Sequence, residues 1–512
     1  MNKRYRNGIV FLYCLLAAFV CLLVCSKSSP LYPINDWTDA NAYLSSGKGM
    51  LAGRVMYRDL YEHKGPLLYA LHALFCLIDP SSFLGVFVLE ILSVALFLLA
   101  SYHLLSLYGA RRAALLALPF IGALMASSFS FQMGDSAEEL CMPLLAWSLY
   151  SLLRWRREQA PACMGRGWLL LNGFMMGCVL WVKFTMLGFY VPWGIMLLAY
   201  HARQGQWHRA LSSVGWIATG VFFATVPWLI YFGANGAIAD WLKTYLYDNV
   251  FLYQDEPTLS LIARGKAMLR AGLDWITGNP LYTVPMLLGL LWLPFGKAAI
   301  SKALTLEGRK DLTASAKWEI GLIWATFAST ALGVFIGGKS YVYYGLILAA
   351  YLAFGALPLC LIMLRFARAK WMNGIISLCF AILAAGALSL AVTPNKGDLL
   401  KPREQTMQYR FAAIINQTRD ATLLNYGFMD AGFYTACGIA PSVKYFHQTN
   451  VNLQEMYDEQ ARYVAEGLTD YVITRGRQPE AIDRHYILVA TEDAPPDFWY
   501  RQVYLYQNKA LP

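Results

Sequence analysis

The chain has 512 residues, of which 57% are hydrophobic and only 14% are charged. About a quarter of the residues in a soluble globular domain are charged, and several apolar runs here are long enough to cross a bilayer, so a soluble protein is excluded and a polytopic membrane protein is predicted. The net charge of +10 lies in short connectors between apolar runs, which indicates membrane topology rather than a nucleic-acid site.

About eleven membrane spans are predicted. The first, 8–26, follows basic residues and is not followed by a small-x-small cleavage site, so it is predicted to remain as an uncleaved span. The apolar run 67–78 is too short to cross comfortably and is predicted to be an interfacial or re-entrant helix. The other ten spans are 81–107, 113–130, 137–153, 168–184, 187–200, 211–233, 281–296, 318–336, 342–364 and 371–393, and the spans 168–184 and 187–200 are predicted to form a hairpin.

The distribution of Lys and Arg orients these spans in the cell membrane. Strongly basic connectors, such as RWRRE and RFARAK, all fall on one side, which the positive-inside rule assigns to the cytoplasm together with the N-terminus. The loops 27–80 and 234–280 and the tail are then external. We therefore predict a transmembrane catalytic domain at 1–393 and an extracytoplasmic domain at 394–512.

The tail has the pattern of a small α/β domain. Helical periodicity covers 404–418 and 453–467, and four short runs are typical of β-strands: ATLLNYG, DYVITR, YILVAT and RQVYLY. The predicted fold class is thus a polytopic all-α membrane protein with a small C-terminal α/β domain.

The outer loop 27–80 begins with acidic residues. Asp39 and Tyr43 have helical spacing, and Asp39 is near the start of a helix that is predicted to end near Gly53. One interpretation is helix capping, by Asp39 or by Asp36, because a carboxylate is favoured at a helix N-terminus. The other is catalysis, because a carboxylate can take a proton from an attacking hydroxyl.

The same loop ends with basic residues. Arg58, His63 and Lys64 lie close to Glu62, just before Pro66, which is predicted to open the short apolar helix. Lys and Arg side chains can hold a phosphate, so these residues form a candidate substrate site. The alternative for Lys64 is a lysine that extends its ammonium to the membrane surface.

A second acidic group, GDSAEE, begins a span on the same face. Asp135, Glu138 and Glu139 are candidates to bind substrate or to share one proton, with Glu138 preferred. The alternative is helix capping by Asp135 and Ser136.

Two lysines depart from the positive-inside trend. Lys183, in WVKFTM, and Lys339, in GGKSYVYY, are predicted at the outer face, so each is a phosphate candidate, and extension toward the membrane surface is the alternative. Tyr341 is a candidate substrate contact or part of an interfacial aromatic belt. GGKS lacks the glycine spacing of a phosphate-binding P-loop.

No obligatory metal or cofactor is predicted, although a divalent metal is not excluded. The ten cysteines show no CxxC or Cys/His metal spacing, and His63 and His72 lack partner ligands at metal spacing.

The opening loop resembles the first outer loop of GT-C glycosyltransferases. The pattern is D-x-x-x-Y from Asp39, a small-residue helix, G-x-x-x-Y-x-D from Gly53 and acid-x-K-x-P-L-x-Y from Glu62. It is similar to the loop of the lipid A aminoarabinose transferases, the protein O-mannosyltransferases and the Rgt-type galacturonosyltransferases. The family commonly has Lys-Pro-Pro where this chain has Lys64, Gly65 and Pro66.

The resemblance implies a GT-C-like fold and an inverting glycosyltransferase, of hexosyl or pentosyl type, that uses a polyprenyl-phosphate sugar. Its acceptor would be a cell-envelope glycan, glycolipid or protein on the outer face of the bilayer. Asp39 would be the general base, Lys64 would hold the donor phosphate, and Glu138 would loosely match an acidic residue of the second outer loop. The resemblance does not identify the sugar or the acceptor.

Three other functions remain open. A transporter or flippase of lipid-linked saccharides would place charged or broken helices near the bilayer midplane, whereas most ionisable residues here cluster at the predicted outer face. A polymerase or ligase of surface polysaccharide would share the outer site and differ in its acceptor. An inactive scaffold that binds cell-wall glycan would not need the Asp39 and Lys64 pair.

The predicted orientation can be tested by thiol labelling. In a background without native cysteines, Leu400→Cys should react with a membrane-impermeant reagent on intact cells, because the tail is predicted to be external, and Lys310→Cys should not. The reverse labelling pattern would contradict the orientation and, with it, an outer site.

Overall fold

The computed structural model describes residues 3–159, 163–253, 260–306, 317–366, 374–476, 478–494 and 501–511. Lys310 and the first residues of the span predicted at 371–393 lie outside this part of the chain. The chain forms two compact units. The first unit contains Met1–Ser26, Leu89–Pro227 and Leu259–Gly397, and the second unit contains Lys27–Val88, Trp228–Thr258 and Asp398–Pro512.

The described α-helices come in this order along the chain: α1 (Lys3–Cys25), α2 (Thr38–Leu51), α3 (Pro66–Cys76), α4 (Leu84–Leu107), α5 (Arg111–Ala126), α6 (Ala137–Arg154), α7 (Arg166–Lys183), α8 (Tyr190–Arg203), α9 (Trp207–Ala234), α10 (Ile238–Leu242), α11 (Leu261–Gly278), α12 (Pro280–Trp292), α13 (Lys297–Leu306), α14 (Lys317–Phe335), α15 (Leu352–Phe366), α16 (Ile375–Val392), α17 (Met407–Ile415), α18 (Phe433–Cys437), α19 (Gln454–Ala465) and α20 (Ile482–His485). Short 3-10 or π-helical segments adjoin several of them, at Trp155–Gln159, Phe184–Phe189, Lys243–Leu252, Val342–Tyr351, Pro394–Asp398 and Arg403–Gln405.

Each apolar run that was predicted to cross the membrane forms a helix. Among the described residues, seven helical stretches are long and apolar enough to cross a membrane. An eighth is possible if α12 and α13, which meet at a bend of 89°, form one span. The predicted span at 137–153 corresponds to α6, which is buried along most of its length and carries charged residues at both ends. The polytopic all-α prediction is confirmed.

The predicted hairpin at 168–200 is present, although helical backbone continues through its turn. At the start of α7, the ring of Trp168 lies 5.9 Å from the guanidinium of Arg154, at the end of α6. At the end of α8, the ring of Tyr200 lies 4.9 Å from that of Trp155, the next residue after α6. Both ends of the hairpin therefore lie beside the end of α6, so the 3-10 segment between α7 and α8 reverses the chain.

A buried ion pair links three elements of the first unit. Arg157, which follows α6, places Nε 2.9 Å from Oε1 of Glu319, at the start of α14. Its Nη1 donates to the carbonyl of Leu107 at 2.7 Å, and its guanidinium lies 4.2 Å from the ring centre of Tyr108. The Tyr108 hydroxyl donates to the same Glu319 oxygen. These bonds compensate two charges that are almost fully removed from water.

The opening loop of the second unit contains the two predicted helices. α2 and α3 pack closely because Gly47 has no side chain: a Cβ there would lie 2.6 Å from the backbone nitrogen of Ala73. Pro66 is the first residue of α3, as its fixed φ angle predicts. Gly53 has a positive φ of 81° just after α2 ends, which explains why a glycine is required there.

The α/β pattern predicted for the tail is confirmed. Its strands are β1 (Leu423–Tyr426), β2 (Tyr471–Arg475), β3 (Tyr486–Asp493) and β4 (Gln502–Asn508), in the sheet order β1-β2-β4-β3. β1 and β2 are parallel, and the other two pairs are antiparallel. The two predicted helices of the tail are α17 and α19, and a core that includes Leu424, Met456, Val464 and Val472 packs α19 against the sheet.

The buried ion pair of the first unit predicts a non-additive effect on stability. Arg157→Met or Glu319→Met alone would leave one buried charge without its partner, which typically costs about 3–5 kcal/mol. Each single variant should therefore unfold at a lower temperature in detergent than the wild type. The double variant should recover part of that loss, because neither charge remains.

The control for this cycle is Arg154→Met, whose ion pair with Glu158 is about a quarter exposed on both sides and should contribute little. A double variant that loses the full sum of the two single losses would contradict a coupled pair.

Candidate active site

Asp39 lies at the start of α2, in the second unit. Trp37 occupies the N-cap position, so the capping position considered for Asp39 and Asp36 belongs to neither of them. Oδ2 of Asp39 accepts a hydrogen bond of 3.1 Å from the hydroxyl of Tyr43, one helical turn later. Asp39 is 8% exposed and Tyr43 1%. The D-x-x-x-Y spacing therefore produces a buried carboxylate that is oriented by a tyrosine.

Two buried tyrosines fix the backbone of Lys64. The Lys64 N–H donates to the hydroxyl of Tyr69 at 2.8 Å, and the hydroxyl of Tyr57 donates to the Lys64 carbonyl at 2.7 Å. Tyr57 has a φ of 68°, a conformation that is rare for a residue with a bulky side chain. Tyr57 belongs to the pattern that begins at Gly53, and Tyr69 belongs to the pattern that begins at Glu62. The two tyrosines thus hold the backbone of Lys64 between them.

The side chains of Glu62, His63 and Lys64 form a buried row. Nζ of Lys64 lies 3.0 Å from Nε2 of His63, and Nδ1 of His63 lies 3.0 Å from Oε1 of Glu62. The second carboxylate oxygen, Oε2, faces Nε2 of His447 from the tail at 3.6 Å. All four side chains are less than a tenth exposed, so the row holds one ammonium and one carboxylate with little water around them.

Burial and charge set the protonation states in this row. Burial lowers the pKa of His63, and the Lys64 ammonium lowers it further, which outweighs the effect of Glu62. Burial also lowers the pKa of His447. Burial alone would raise the pKa of Glu62, but the polar ring of His63 and the Lys64 ammonium hold that pKa below its ordinary value. Both imidazoles are therefore neutral beside an ionised carboxylate.

These pKa shifts make the stability of the folded state depend on pH. Since folding lowers the pKa of both histidines, their contribution is fully present above the ordinary histidine pKa of about 6.5 and is lost as the pH falls below that value. The lowered pKa of Glu62 acts in the same direction, because its contribution is present above the ordinary carboxyl pKa of about 4.3 and is lost in more acidic solution.

The other two candidates in this loop, Asp36 and Arg58, each form an ion pair. Oδ1 of Asp36 accepts from Lys27 at 2.8 Å, and Lys27 also pairs with Asp398 at 2.7 Å. The guanidinium of Arg58 binds both carboxylate oxygens of Asp59, at 2.8 and 2.9 Å. Catalytic or phosphate-binding roles for Asp36 and Arg58 stay predictions.

In the first unit, the loop before α6 is held by buried carboxylates. Ser136 is the N-cap of α6, and its Oγ accepts from the Glu139 N–H at 3.0 Å, so the capping interpretation is confirmed for Ser136. Asp135 has a φ of 66°, and its N–H donates to Oε1 of Glu90 and Oε2 of Glu139, both at 2.9 Å. Oε2 of Glu90 also accepts from Ser26 Oγ at 2.8 Å.

Glu138 and Lys183 form a second lysine–carboxylate pair in the first unit. Nζ of Lys183 lies 2.5 Å from Oε1 of Glu138 and 3.6 Å from the ring centre of Tyr344. The ring of Tyr341 packs 5.4 Å from that of Tyr344. Because Lys183 is buried and ion-paired, the alternative in which it extends its ammonium toward the membrane surface does not apply. Lys339 is half-buried in the loop before Tyr341, and its phosphate role stays a prediction.

Sequence analysis did not identify two buried residues of these clusters, Glu90 and His447. Glu90 lies inside the predicted span 81–107, and a lone carboxylate in a span is itself a signal of function. His447 belongs to the tail, and no local pattern connects it with Glu62.

Among the described residues, no three His, Cys, Asp or Glu side chains are arranged to hold a metal ion. His63 and His447 nevertheless face the same carboxylate, that of Glu62. The residues around His63 in the sequence did not indicate this arrangement. His72 is bound separately, with Nδ1 2.7 Å from the carbonyl of Leu68. Whether the protein needs a metal stays a prediction.

The second unit combines a carboxylate and an ammonium, two groups that a transfer reaction to a hydroxyl acceptor can use. The charge of Asp39 acts on both His63 and His447, so this carboxylate lies within electrostatic reach of the row. A carboxylate can accept a proton from a hydroxyl, and an ammonium can bind a phosphate leaving group.

Solved structures share this fold over nearly the whole chain. The structure of ArnT from Cupriavidus metallidurans bound to undecaprenyl phosphate has a TM-score of 0.55 and 14% identity, and the match covers 98% of both chains. The Archaeoglobus fulgidus oligosaccharyltransferase in complex with Zn and sulfate has a TM-score of 0.50 and 14% identity, over 97% of this chain and 73% of that one. No protein-family model and no curated protein matches the sequence. At these identities the likeness establishes the fold alone: the chain folds like these two proteins over nearly its whole length.

Proposed function

We propose that this protein is an integral-membrane glycosyltransferase that moves a sugar from a polyprenyl-phosphate donor to an acceptor on the outer face of the cell membrane. The observation that carries the proposal is the second unit's combination of a buried carboxylate, Asp39, with a buried ammonium, Lys64. The solved ArnT of the same fold was bound to undecaprenyl phosphate, which supports the donor class.

The proposed reaction is a single displacement at the anomeric carbon of the donor sugar. The acceptor hydroxyl oxygen forms a bond to that carbon while the bond from the carbon to the phosphate oxygen breaks, so the configuration inverts. The proton of the hydroxyl passes to Asp39, and the electron pair of the broken bond leaves with the polyprenyl phosphate. The bond from Tyr43 orients Asp39 for this transfer.

In this scheme Lys64 stabilises the charge on the leaving phosphate. A buried ammonium interacts more strongly with a phosphate than an exposed one, because little water screens it. Arg58 is proposed as a further phosphate contact in the second unit, and its ion pair with Asp59 would have to open or be shared with the phosphate. In the first unit, phosphate-binding roles for Lys183, which binds Glu138, and for Lys339 stay predictions.

The second acidic loop is proposed to contribute to substrate binding. Oε2 of Glu138 is buried and has no hydrogen-bond partner among the described residues, although an unpaired buried acceptor is costly. A sugar hydroxyl is a suitable donor to such an oxygen. Tyr341, Asp135 and Glu139 are proposed to shape this cluster of the first unit, and no cofactor is required by the scheme.

The first test replaces the proposed base. Asp39→Asn is nearly isosteric and keeps an acceptor for Tyr43, but it cannot take a proton. General-base catalysis is typically worth about 10²–10⁴-fold in rate, so transfer should fall by that factor while binding of undecaprenyl phosphate stays near the wild-type level. The measurement is sugar transfer by purified protein from lipid-linked donors extracted from the native membrane.

Asp36→Asn serves as the comparison, because it removes a carboxylate from the same loop that pairs with Lys27. It should reduce the transfer rate much less than Asp39→Asn. Near-normal transfer by Asp39→Asn would exclude Asp39 as the base.

The second test concerns the phosphate. Lys64→Ala removes the buried ammonium, and a hydrogen bond between charged groups contributes about 1.5–3 kcal/mol, so affinity for undecaprenyl phosphate should fall roughly tenfold or more. Undecaprenol, which lacks the phosphate, should bind wild type and variant equally. Unchanged affinity for undecaprenyl phosphate in Lys64→Ala would show that the phosphate binds elsewhere.

A further inference from the structure

The second unit contains a small polar pocket of about 130 Å³. Its walls come from the segments 27–34 and 79–84 of the opening loop and from the tail, which contributes Arg403, Tyr409 and Thr435. None of the described residues that line it has a part in the proposed sugar transfer. The pocket is therefore a candidate for a second binding site.

Two opposite charges border this pocket without contacting each other. Arg403 and Asp79 both line it, and among the described residues neither side chain forms an ion pair. Burial would raise the pKa of the Asp79 carboxyl, but its bonds from Ser82 and Ser81 and the charge of Arg403 hold that pKa below its ordinary value. A guanidinium and an ionised carboxylate thus border the same small space.

Both charged groups are oriented by neighbouring residues. Oδ1 of Asp79 accepts from the N–H and the Oγ of Ser81 at 2.9 and 2.7 Å, and Oδ2 accepts from Ser82 Oγ at 2.5 Å. Because a carboxylate has room for about four donors, Asp79 can accept one more. The guanidinium of Arg403 lies 5.4 Å from the ring centre of Tyr409, which is half-buried in the pocket wall.

The charges that remain for a ligand are one positive and one negative. Lys27 also lines the pocket, but its ammonium is compensated by Asp36 at 2.8 Å and Asp398 at 2.7 Å. Arg403 is suited to a phosphate, which matches the planar guanidinium. Asp79 is suited to a group that donates hydrogen bonds and carries a positive charge. A ligand with both groups would satisfy both residues.

The surroundings of the pocket are those of a membrane boundary. Leu84, which lines the pocket, is the first residue of α4, a helix long and apolar enough to cross a bilayer. Leu77 and Ile78, directly before Asp79, are 66% and 51% exposed. Exposed apolar side chains beside the start of a span are typical of a surface that contacts lipid. Phospholipid headgroups lie at this level of a bilayer.

We infer that this pocket binds the headgroup of a zwitterionic phospholipid with a primary ammonium, such as phosphatidylethanolamine. Arg403 holds the phosphate, Asp79 accepts from the ammonium, and the acyl chains extend toward the exposed apolar residues beside Leu84. The trimethylammonium of phosphatidylcholine cannot donate a hydrogen bond to Asp79, and phosphatidylglycerol has no cation for it. The inference does not depend on the proposed sugar transfer.

Native mass spectrometry of the purified full-length protein, titrated with these three lipids carrying identical acyl chains, tests the site. The wild type should bind phosphatidylethanolamine about threefold or more tightly than the other two. Asp79→Asn keeps acceptors for the serine bonds but loses the charge, so it should bind phosphatidylethanolamine and phosphatidylglycerol equally. Arg403→Gln should weaken binding of all three lipids, because each contains the phosphate.

The matched control is Arg410→Gln. Arg410 belongs to the same part of the tail and forms a partly exposed ion pair with Glu492, but it does not line the pocket. This variant should bind all three lipids like the wild type. Unfolding temperatures in detergent should stay similar among the three variants, which separates loss of a lipid contact from loss of the fold.

Two results for the lipids would overturn the inference: equal binding of phosphatidylethanolamine and phosphatidylglycerol by the wild type, or the same preference in Asp79→Asn. Two competitors test the class of ligand. Soluble phosphoethanolamine should displace the lipid only weakly, because it lacks the acyl chains, and a neutral monosaccharide should not displace it. Displacement by phosphoethanolamine at the affinity of the lipid would indicate a soluble ligand, and displacement by the monosaccharide would indicate a glycan site. Either result would overturn the lipid assignment.

Discussion

The central constraint on the candidate site is that an ammonium, an imidazole and a carboxylate are buried in one row. The neutral ring of His63 lies between Lys64 and Glu62 and contacts both of them. Because an uncompensated buried charge would cost several kcal/mol, the folded loop has to keep these groups together. The backbone bonds from Tyr57 and Tyr69 keep the lysine in this arrangement.

The first unit also buries a lysine beside a carboxylate. Its buried lysine, Lys183, is in direct contact with Glu138 and packs over Tyr344, so its charge is mostly compensated before any substrate binds. The carboxylates of Glu90 and Glu139 share one backbone N–H, which fixes the loop before α6. These clusters are preorganised, and preorganised charges stabilise a transition state without the cost of reorganising water.

Much of the fold could be predicted from the sequence, because apolar runs and the strand and helix patterns of the tail are local signals. The hairpin between α7 and α8 and the pair Asp39 and Tyr43 also followed from spacing alone. The cap of α2 did not, because Trp37 takes that position without a polar side chain. The position of His447 beside Glu62 could not be predicted, since it depends on how the tail folds against the opening loop. The partner of Lys183 depends on packing in the same way, whereas Arg58 pairs with its sequence neighbour Asp59.

The central claim, transfer of a sugar from a polyprenyl phosphate, is tested most directly by mass spectrometry of lipid-linked sugars and surface glycans from cells with and without this protein. The account predicts that cells without it accumulate one polyprenyl-phosphate sugar and lose the same sugar residue from an envelope glycan, glycolipid or protein. Identical lipid-linked sugars and identical surface glycans in the two strains would contradict it.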